Sequence, residues 1–365
     1  MKRRGRLTDT YLGEMYPVKY VKDCRRKLER VADLTQYTTP IAMDDLDQVR
    51  AWLGYEKINL FGVSYGTRAV VYMRQHPTHV RSAVLMGTSP TYAKVPLYHA
   101  RNGQRAMQLL LDECAADTMC GRAYPRLKRE LVELLARLSR HPAHVRFTPS
   151  AKSKEIEVEI EIRGSIFAEE LRSLMYSLRI SRHIPFIIHE ATQGNFDPFL
   201  TLAVPEDPSS SLSSLIADGM YLSVTCAEDV SLIDPKEAER INKGTFFGNY
   251  RVFEQRRACQ YWPLAKLPAG YDKAEGSEIP VLLVSGHMDP ITPPEWAAEV
   301  ASHFPNSRHF VIRNQAHVPV GLAHLECLGK VILGFLEEAS VMNLETSCLD
   351  QISSLPFFVE AQRDK

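Results

Sequence analysis

The sequence lacks a charge imbalance and lacks any long apolar run. Lys and Arg together number 44, Asp and Glu also number 44, and the formal net charge is zero. This balance argues against a nucleic acid or an anionic membrane as the main partner. No stretch reaches the roughly 20 apolar residues that a transmembrane helix needs. The basic start, Met1–Arg4, is not followed by an apolar segment, so it does not predict a signal peptide.

The short motifs of several large enzyme classes are also missing. The chain contains no H-E-x-x-H zinc motif, no C-x-x-C pair, no Walker phosphate loop and no G-x-G-x-x-G dinucleotide motif. A charged segment, Glu155–Arg163, alternates Glu with Ile or Val, which is typical of a half-exposed strand rather than of a metal site. The sequence therefore implies no cofactor and no metal.

Cysteine is scarce, with seven residues, and the count is odd. Two interpretations stay open at this point. The thiols are free and buried in a cytosolic protein, or six of them form three local disulfides in an exported protein and Cys24 is left without a partner.

The order of predicted elements indicates a mostly parallel sheet that is interrupted by an insertion. Residues 38–54 predict a helix with a capping hydroxyl and an apolar stripe formed by Leu46, Val49, Trp52 and Leu53. Strands are predicted at residues 57–61, 80–86, 281–284 and 310–312, with helices between them or after them. Residues 98–139 and the Ser-rich loop 209–214 belong to the predicted insertion. We expect a core of residues 1–95 and 268–365 and a mainly helical lid of residues 96–267.

The pentapeptide Gly62-Val63-Ser64-Tyr65-Gly66 lies between a predicted strand and a predicted helix. A serine on such a tight turn exposes its hydroxyl, and the flanking glycines relieve backbone crowding. The alternative is a Gly-Ser turn without chemistry. In this setting the motif predicts Ser64 as a nucleophile.

A serine nucleophile needs a histidine base and an orienting carboxylate on loops after later strands. Asp289 follows the strand at residues 281–284, and His317 follows the last strand, which gives the order Ser, Asp, His. His287 comes before the acid, and His324 is expected on the final helix, so both are weaker candidates for the base. Asp289 as a mere turn former before Pro290 is the other interpretation.

Several motifs together resemble the tripeptidyl aminopeptidase-like and proline iminopeptidase-like α/β hydrolases. They are found in residues 37–46, 53–60 and 62–68, in Ser223-Val224-Thr225-Cys226-Ala227-Glu228-Asp229, in Cys259-Gln260-Tyr261-Trp262-Pro263 and in residues 286–294. The resemblance implies an α/β-hydrolase fold with a helical lid over the active site. It also implies a secreted or periplasmic location with the disulfides Cys114–Cys120, Cys226–Cys259 and Cys327–Cys348. Members include exopeptidases and carboxylesterases.

The sequence departs from this family at its N-terminal side. The family begins with strands that carry a His-Gly-Gly-type loop and an Asp-Gln-Arg-Gly-Thr-Gly-type loop, and neither occurs here. We therefore expect an N-terminally shortened sheet with an exposed edge. The first of these loops normally donates one oxyanion-hole N–H, so Tyr65 N–H is expected to act without its usual partner. Two interpretations stay open: the chain is a truncated form of a longer protein, or it is a shortened protein that has rebuilt the missing half of the sheet, for which a homodimer is one possibility.

These observations predict a serine hydrolase that forms an acyl-enzyme on carboxylic esters. The alternative is an exopeptidase in which Glu228 or Asp229 binds the free amine of a peptide. A second alternative is an impaired homologue that only binds. Esters are favoured because amide cleavage depends more strongly on a complete oxyanion hole.

Overall fold

The computed structural model describes residues 12–148, 157–204, 216–274 and 276–360. The predicted Ser-rich loop 209–214 lies outside these ranges. The described strands are β1 Ile58–Val63, β2 Val80–Met86, β3 Ala143–Phe147, β4 Val158–Ile162, β5 Val281–Gly286, β6 Ser307–Ile312, β7 Leu322–Ala323 and β8 Ser353–Ser354.

The described helices fall into three groups along the chain. Before β2 they are α1 Val18–Leu28, α2 Thr39–Trp52 and α3 Val70–Gln75. Between β2 and β5 they are α4 His99–Ala116, α5 Thr118–Ala123, α6 Leu127–Arg140, α7 Gly164–Leu174, α8 Leu178–Ser181, α9 Ile184–Thr192, α10 Asp197–Ala203, α11 Asp218–Glu228, α12 Pro235–Asn242 and α13 Tyr250–Cys259. After β5 they are α14 Pro294–Ala301 and α15 Glu326–Glu338.

Four strands form one parallel sheet in the order β1-β2-β5-β6. Every residue of β5 is buried, as expected for an apolar strand that is covered on both faces. Successive side chains of a strand point to opposite faces. Leu85 and Leu283 accordingly pack with Tyr72 on one face, whereas Val84 and Leu282 pack with Phe335 of α15 on the other. The predicted parallel α/β sheet is confirmed.

The chain between β2 and β5 forms much of a second hydrophobic core. Leu127, Leu131, Leu134 and Leu138 of α6 are all buried there, as their helical spacing predicts. The charged strand predicted from alternation is β4, which pairs antiparallel with β3 and buries every second residue. The proposed boundaries of core and lid stay a prediction.

The predicted helix is present as α2, but its apolar stripe is exposed rather than covered by another element. Trp52 is 84% exposed, and Val49 and Leu53 are also exposed. On the neighbouring edge strand β1, Phe61 and Val63 are exposed as well. No element of the described ranges covers this face. The sheet edge expected from the family comparison is therefore open at β1.

The beginning of α2 also differs from its prediction. The Thr38 side chain makes no capping hydrogen bond. Instead, the Glu228 carboxylate accepts a hydrogen bond from the Thr39 backbone N–H. A residue far away in the sequence thus satisfies one of the free donors at this helix end.

Three disulfides are present. Cys114–Cys120, Cys226–Cys259 and Cys327–Cys348 have Cα–Cα distances of 5.1, 5.3 and 5.8 Å. Cys24 is free. The pairing implied by the family resemblance is confirmed. Within the described ranges, no helix combines the length and the hydropathy needed to cross a bilayer.

Candidate active site

Ser64 occupies a strained turn between β1 and a short 3₁₀ helix, Ser64–Ala69, which continues into α3. Its φ is 57°, a left-handed value that non-glycine residues rarely adopt. The strain presents the hydroxyl at the carboxyl end of β1. The local strand–turn–helix order agrees with the prediction, but the first turn after Ser64 is 3₁₀ rather than α.

The two flanking glycines of this turn are not equivalent. A Cβ on Gly62 would lie 2.2 Å from the Gly66 carbonyl oxygen, whereas a Cβ on Gly66 would have no heavy atom within 4 Å. Only Gly62 is therefore required by packing. Buried Thr67 holds the turn from the other side, because its hydroxyl donates to the Ser64 carbonyl and accepts from Ser89 N–H.

The structure brings the three predicted catalytic side chains together. His317 Nε2 lies 2.8 Å from Ser64 Oγ, and His317 Nδ1 lies 2.8 Å from Asp289 Oδ2. Asp289 is fully buried and His317 is 6% exposed. These contacts give a continuous hydrogen-bond chain from the hydroxyl to a buried carboxylate, which is the geometry that a general base requires.

The Asp289 carboxylate is fixed by its own loop. Oδ1 accepts hydrogen bonds from the backbone N–H groups of Ile291 and Thr292, and Oδ2 accepts one from the Thr292 hydroxyl. Thr292 Oγ1 also lies 3.2 Å from His317 Nδ1. Asp289 is thus more than a turn former before Pro290, since its oxygens reach both the turn and the imidazole.

The loops that carry Asp289 and His317 touch through their backbones. Met288 N–H donates to the Gln315 carbonyl over 2.9 Å. A Cβ on Gly286 would lie 2.1 Å from the Ala316 carbonyl oxygen, so only glycine permits this approach. The adjacent strands β5 and β6 end side by side, which brings the two loops together.

The family models match two parts of the chain. A model described as alpha/beta hydrolase fold matches residues 22–162, and a model described as TAP-like protein matches residues 244–348. The parallel sheet, the strained serine and the Ser64–His317–Asp289 geometry agree with both matches.

The chain has the α/β-hydrolase fold.

Named relatives of this α/β hydrolase are peptidases. Serine protease Hip1 of Mycobacterium tuberculosis is 24% identical over 279 residues, which is 72% of this chain and 52% of that protein. The tripeptidyl aminopeptidase of Streptomyces coelicolor is 24% identical over 360 residues, or 92% of this chain and 62% of that protein. That of Streptomyces lividans is 25% identical over 328 residues, or 84% and 57%. The chain thus spans about half the length of the Hip1 proteases.

Solved structures resemble this α/β hydrolase more distantly. One is a thermophilic esterase from Thermogutta terrifontis, which is 15% identical, with coverage of 83% of this chain and 74% of that chain and a TM-score of 0.34. The fold assignment therefore rests on the family models and on the strand order.

The two rival histidines lie elsewhere. The His287 backbone carbonyl accepts a hydrogen bond from Arg105. Burial and the nearby positive charge of Arg105 lower the pKa of the His287 imidazole. His324 precedes α15 rather than lying on it, and it is paired at 3.5 Å with Glu326. Among the described residues, His317 is the histidine bonded to Ser64.

Tyr65 is the second residue of the 3₁₀ helix, where backbone N–H groups have no acceptor within the helix. Its position next to Ser64 suits an oxyanion donor. Its side chain is 43% exposed, but the hydroxyl is anchored 2.8 Å from Thr39 Oγ1. The role of the backbone N–H stays a prediction, as does the absence of a second donor.

Glu228 and Asp229, which are predicted to bind a substrate amine, are buried in an internal ion-pair network. Arg68 donates to Glu228 Oε2 over 2.8 Å and to Asp229 Oδ1 over 2.6 Å. Thr39 and Tyr271 also donate to Glu228, and Val95 N–H donates to Asp229. Both carboxylates are at most 1% exposed. This arrangement does not favour contact with a substrate amine, because both carboxylates are buried and their oxygens already accept hydrogen bonds from within the protein.

A second charged cluster near His317 was missed by the sequence reasoning. Tyr176 packs edge-on against the His317 ring, and Arg172 lies over the Tyr176 ring. Buried Glu169 binds both Arg172 and Arg251. Burial would raise the pKa of Glu169, but these two guanidinium groups lower it to about 2.

Glu170 stands beside this cluster with a different charge state. Burial, together with the Glu169 carboxylate, raises its pKa to about 8. Its oxygens have no hydrogen-bond or ion-pair partner within the described ranges. A sequence signal for these residues is weak, because charged residues on a helix are usually solvated.

One group has the spacing of a metal site. Asp47, His76 and His79 offer ligand atoms within 4.8 Å of one another. The Asp47 carboxylate is already bonded to Arg50, Tyr72 and His79, however. His79 precedes β2, so the group lies near the amino end of this strand, whereas Ser64 follows the carboxyl end of the parallel strand β1. These contacts are sufficient to explain the group, because they join Asp47 of α2 to the end of α3 without a metal ion.

Proposed function

We propose that the protein is a serine hydrolase that works through an acyl-enzyme. Ser64 is the nucleophile, His317 the general base and Asp289 the carboxylate that orients the imidazole. The observation that carries this proposal is the hydrogen-bond chain in which both nitrogens of His317 lie 2.8 Å from their partners.

The geometry supports the following steps. Ser64 Oγ attacks the substrate carbonyl while His317 Nε2 takes the hydroxyl proton. Asp289 holds Nδ1–H and stabilises the imidazolium that forms. His317 then gives the proton to the leaving group, and the acyl group stays on Ser64. A water molecule, deprotonated by His317, hydrolyses the acyl-enzyme and restores the hydroxyl.

Labelling with a fluorophosphonate, followed by intact-mass measurement, tests the nucleophile. We expect one adduct on the wild type and none on Ser64→Ala. Ser82→Ala is a matched control, because Ser82 is a buried serine of β2 that bonds the Asn59 side chain. This control should be labelled like the wild type. Labelling that persists in Ser64→Ala would exclude Ser64 as the nucleophile.

For the substrate class, we propose carboxylic esters. Amides are poorer acyl donors, because the amine must be protonated as it leaves, and their cleavage needs a complete oxyanion hole. If Tyr65 N–H acts without a second donor, the deficit is about 3–4 kcal/mol in the transition state. An activated ester tolerates this loss better than a peptide does.

An exopeptidase is the second candidate, and the names of the relatives support it. Since Glu228 and Asp229 are occupied by Arg68, Glu170 is a better candidate for the group that would bind an amine, because a bound ammonium group would favour the ionised form of this carboxyl group. It lies on α7, the helix that carries Arg172, and it has no partner within the described ranges.

Comparing kcat/KM for p-nitrophenyl butyrate with that for prolyl and tripeptidyl p-nitroanilides distinguishes the two candidates. Higher values for the ester support a carboxylesterase. Efficient anilide cleavage that is lost in Glu170→Gln would support the exopeptidase. If the chain is labelled at Ser64 but turns over neither substrate class, an impaired homologue that only binds is the better description.

The three disulfides support a secreted or periplasmic location, because such bonds persist in oxidising compartments. The homodimer stays a prediction. Size-exclusion chromatography with light scattering on the purified chain tests it.

A further inference from the structure

Glu228 connects the lid to the region around Ser64. It is the last residue of α11, and Cys226 on the same helix is bonded to Cys259 of α13. Its two oxygens accept hydrogen bonds from the backbone N–H and the hydroxyl of Thr39, from Arg68 and from Tyr271. Its side chain is completely buried. Glu228 therefore holds the beginning of α2 in a fixed place relative to the lid.

From Thr39 the connection continues to the nucleophile turn. Thr39 Oγ1 lies 2.7 Å from Glu228 Oε2 and 2.8 Å from the Tyr65 hydroxyl. A single hydroxyl thus bridges the buried carboxylate and the residue directly after Ser64. Because Thr39 Oγ1 donates to the carboxylate, its lone pairs are free to accept the Tyr65 proton.

A second connection reaches the same turn. Arg68 lies in the 3₁₀ helix that begins at Ser64, and it is held by Glu228 and Asp229. Its guanidinium carbon lies 5.8 Å from the centre of the Tyr65 ring. Tyr65 is 43% exposed, so packing restrains its side chain only in part. The hydroxyl anchor and the guanidinium contact therefore have a large share in fixing its position.

We propose that Glu228 and Thr39 are positioning residues for the oxyanion donor. Through the Tyr65 hydroxyl they fix the tyrosine whose backbone N–H faces the developing negative charge. This inference rests on the proposed serine-hydrolase function. It gives Glu228 a different role from the amine binding expected from the sequence. Oxyanion donors act only when they are placed within a few tenths of an ångström, because their stabilisation depends on short hydrogen bonds.

The test uses Thr39 and Tyr65, because removal of the buried Glu228 carboxylate would leave Arg68 partly unpaired and threaten folding. In Thr39→Val and Tyr65→Phe, we expect kcat for p-nitrophenyl butyrate and the rate constant of fluorophosphonate labelling to fall about tenfold, with KM within twofold. The double variant should be no slower than either single variant, because both substitutions break the same contact. Thr39→Ser keeps the hydroxyl and should restore kcat to within twofold of the wild type.

Tyr72→Phe is the matched control. It also removes a tyrosine hydroxyl bonded to a side chain, here Asp47 at 2.7 Å, and within the described residues this hydroxyl is not bonded to any residue of the turn at Ser64. Its kcat should stay within twofold of the wild type even if its Tm falls.

Three results would overturn the inference. The first is a wild type that is labelled at Ser64 while Thr39→Val and Tyr65→Phe keep their kcat. The second is a rise in KM at constant kcat, which would assign the contact to substrate binding. The third is an equal loss in Thr39→Ser and Thr39→Val. A wild type that is not labelled at all would instead refute the proposed function, and this inference with it.

Discussion

Tyr176 meets His317 edge-on, with ring centroids 5.0 Å apart and an angle of 80° between the ring planes. The Tyr176 carbonyl also accepts a hydrogen bond from Val318 N–H over 3.0 Å. A residue that follows α7 thus supports both the imidazole and the loop that carries it. The proposed base is therefore held from the predicted lid as well as from Asp289.

We expect Tyr176→Leu to lower kcat by a factor of about 2 to 10. An edge-to-face aromatic pair contributes about 0.5–1.5 kcal/mol, and here this energy orients the imidazole. Tyr176→Phe keeps the ring and should stay within twofold of the wild type. Steady-state and burst kinetics with p-nitrophenyl butyrate provide the measurement. Equal losses in both variants would show that the hydroxyl matters rather than the ring.

Gly62→Ala and Gly66→Ala should behave very differently. The first places a Cβ 2.2 Å from the Gly66 carbonyl oxygen, so the backbone must shift and the turn around Ser64 must open. We expect fluorophosphonate labelling to slow by about two orders of magnitude or more. The second meets no heavy atom within 4 Å, and labelling should stay within about twofold. Similar rates in the two variants would contradict the described turn.

Replacing Cys226 and Cys259 together by Ala should destabilise the fold by about 3–4 kcal/mol. The chain between them spans a sequence separation of 33, and a bridge across such a loop restricts the unfolded chain by this amount. Urea unfolding followed by fluorescence measures the loss. Cys24→Ala is the control, since Cys24 is free and partly exposed, and it should cost less than about 1 kcal/mol. A comparable loss for Cys24→Ala would argue against a special role for the bridge.

Glu170→Gln should change the pH dependence of stability. Burial and the Glu169 carboxylate raise the Glu170 pKa to about 8. Between about pH 4.5 and 8, Glu170 is therefore protonated to a greater extent in the folded protein than in the unfolded chain. The contribution of Glu170 to the free energy of unfolding is fully present at low pH and is lost as the pH rises towards 8. Relative to the wild type, the free energy of unfolding of Glu170→Gln should therefore rise by on the order of 2 kcal/mol from pH 5 to pH 9. This is less than the full pKa difference would give, because the side chain is partly exposed.

Denaturant unfolding at several pH values measures this change. Glu161→Gln is the control of opposite sign, because a hydrogen bond from Arg163 lowers the Glu161 pKa. In the wild type, the ionised Glu161 carboxylate stabilises the folded protein, and this stabilisation is lost only as the pH falls below the ordinary pKa of a carboxyl group. Its difference from the wild type should be constant between pH 5 and pH 9. A constant difference for Glu170→Gln as well would refute the raised pKa.

The sequence predicted those features that depend on local pattern. The apolar runs predicted the parallel strands, and the spacing of Gly62 and Gly66 predicted the tight turn at Ser64. Asp289 and His317 were predicted from chain order, since the loops after adjacent parallel strands meet at one edge of the sheet. The disulfide pairing came from family resemblance rather than from spacing.

The remaining features depend on contacts between distant segments. The partner of Glu228 and Asp229 is Arg68, about 160 residues away, and no local pattern shows that a carboxylate is already neutralised. The stripe on α2 has the periodicity of a buried helix, but periodicity does not show which element covers it. For the same reason the raised pKa of Glu170 was not predicted, since it depends on burial and on Glu169 in the folded state.

The pairing of β2 with β5 has a consequence for how the chain folds during synthesis. Ala83 pairs with Val281, so strands that touch in the sheet leave the ribosome roughly 200 residues apart. The intervening helices have most of a hydrophobic core of their own and can collapse while β5 is still being translated. Such high contact order makes closure of the sheet slow and late. Until then the proposed base, His317, is not in place beside Ser64, so we expect a nascent chain to be unable to hydrolyse substrate before the predicted lid and the sheet have both formed.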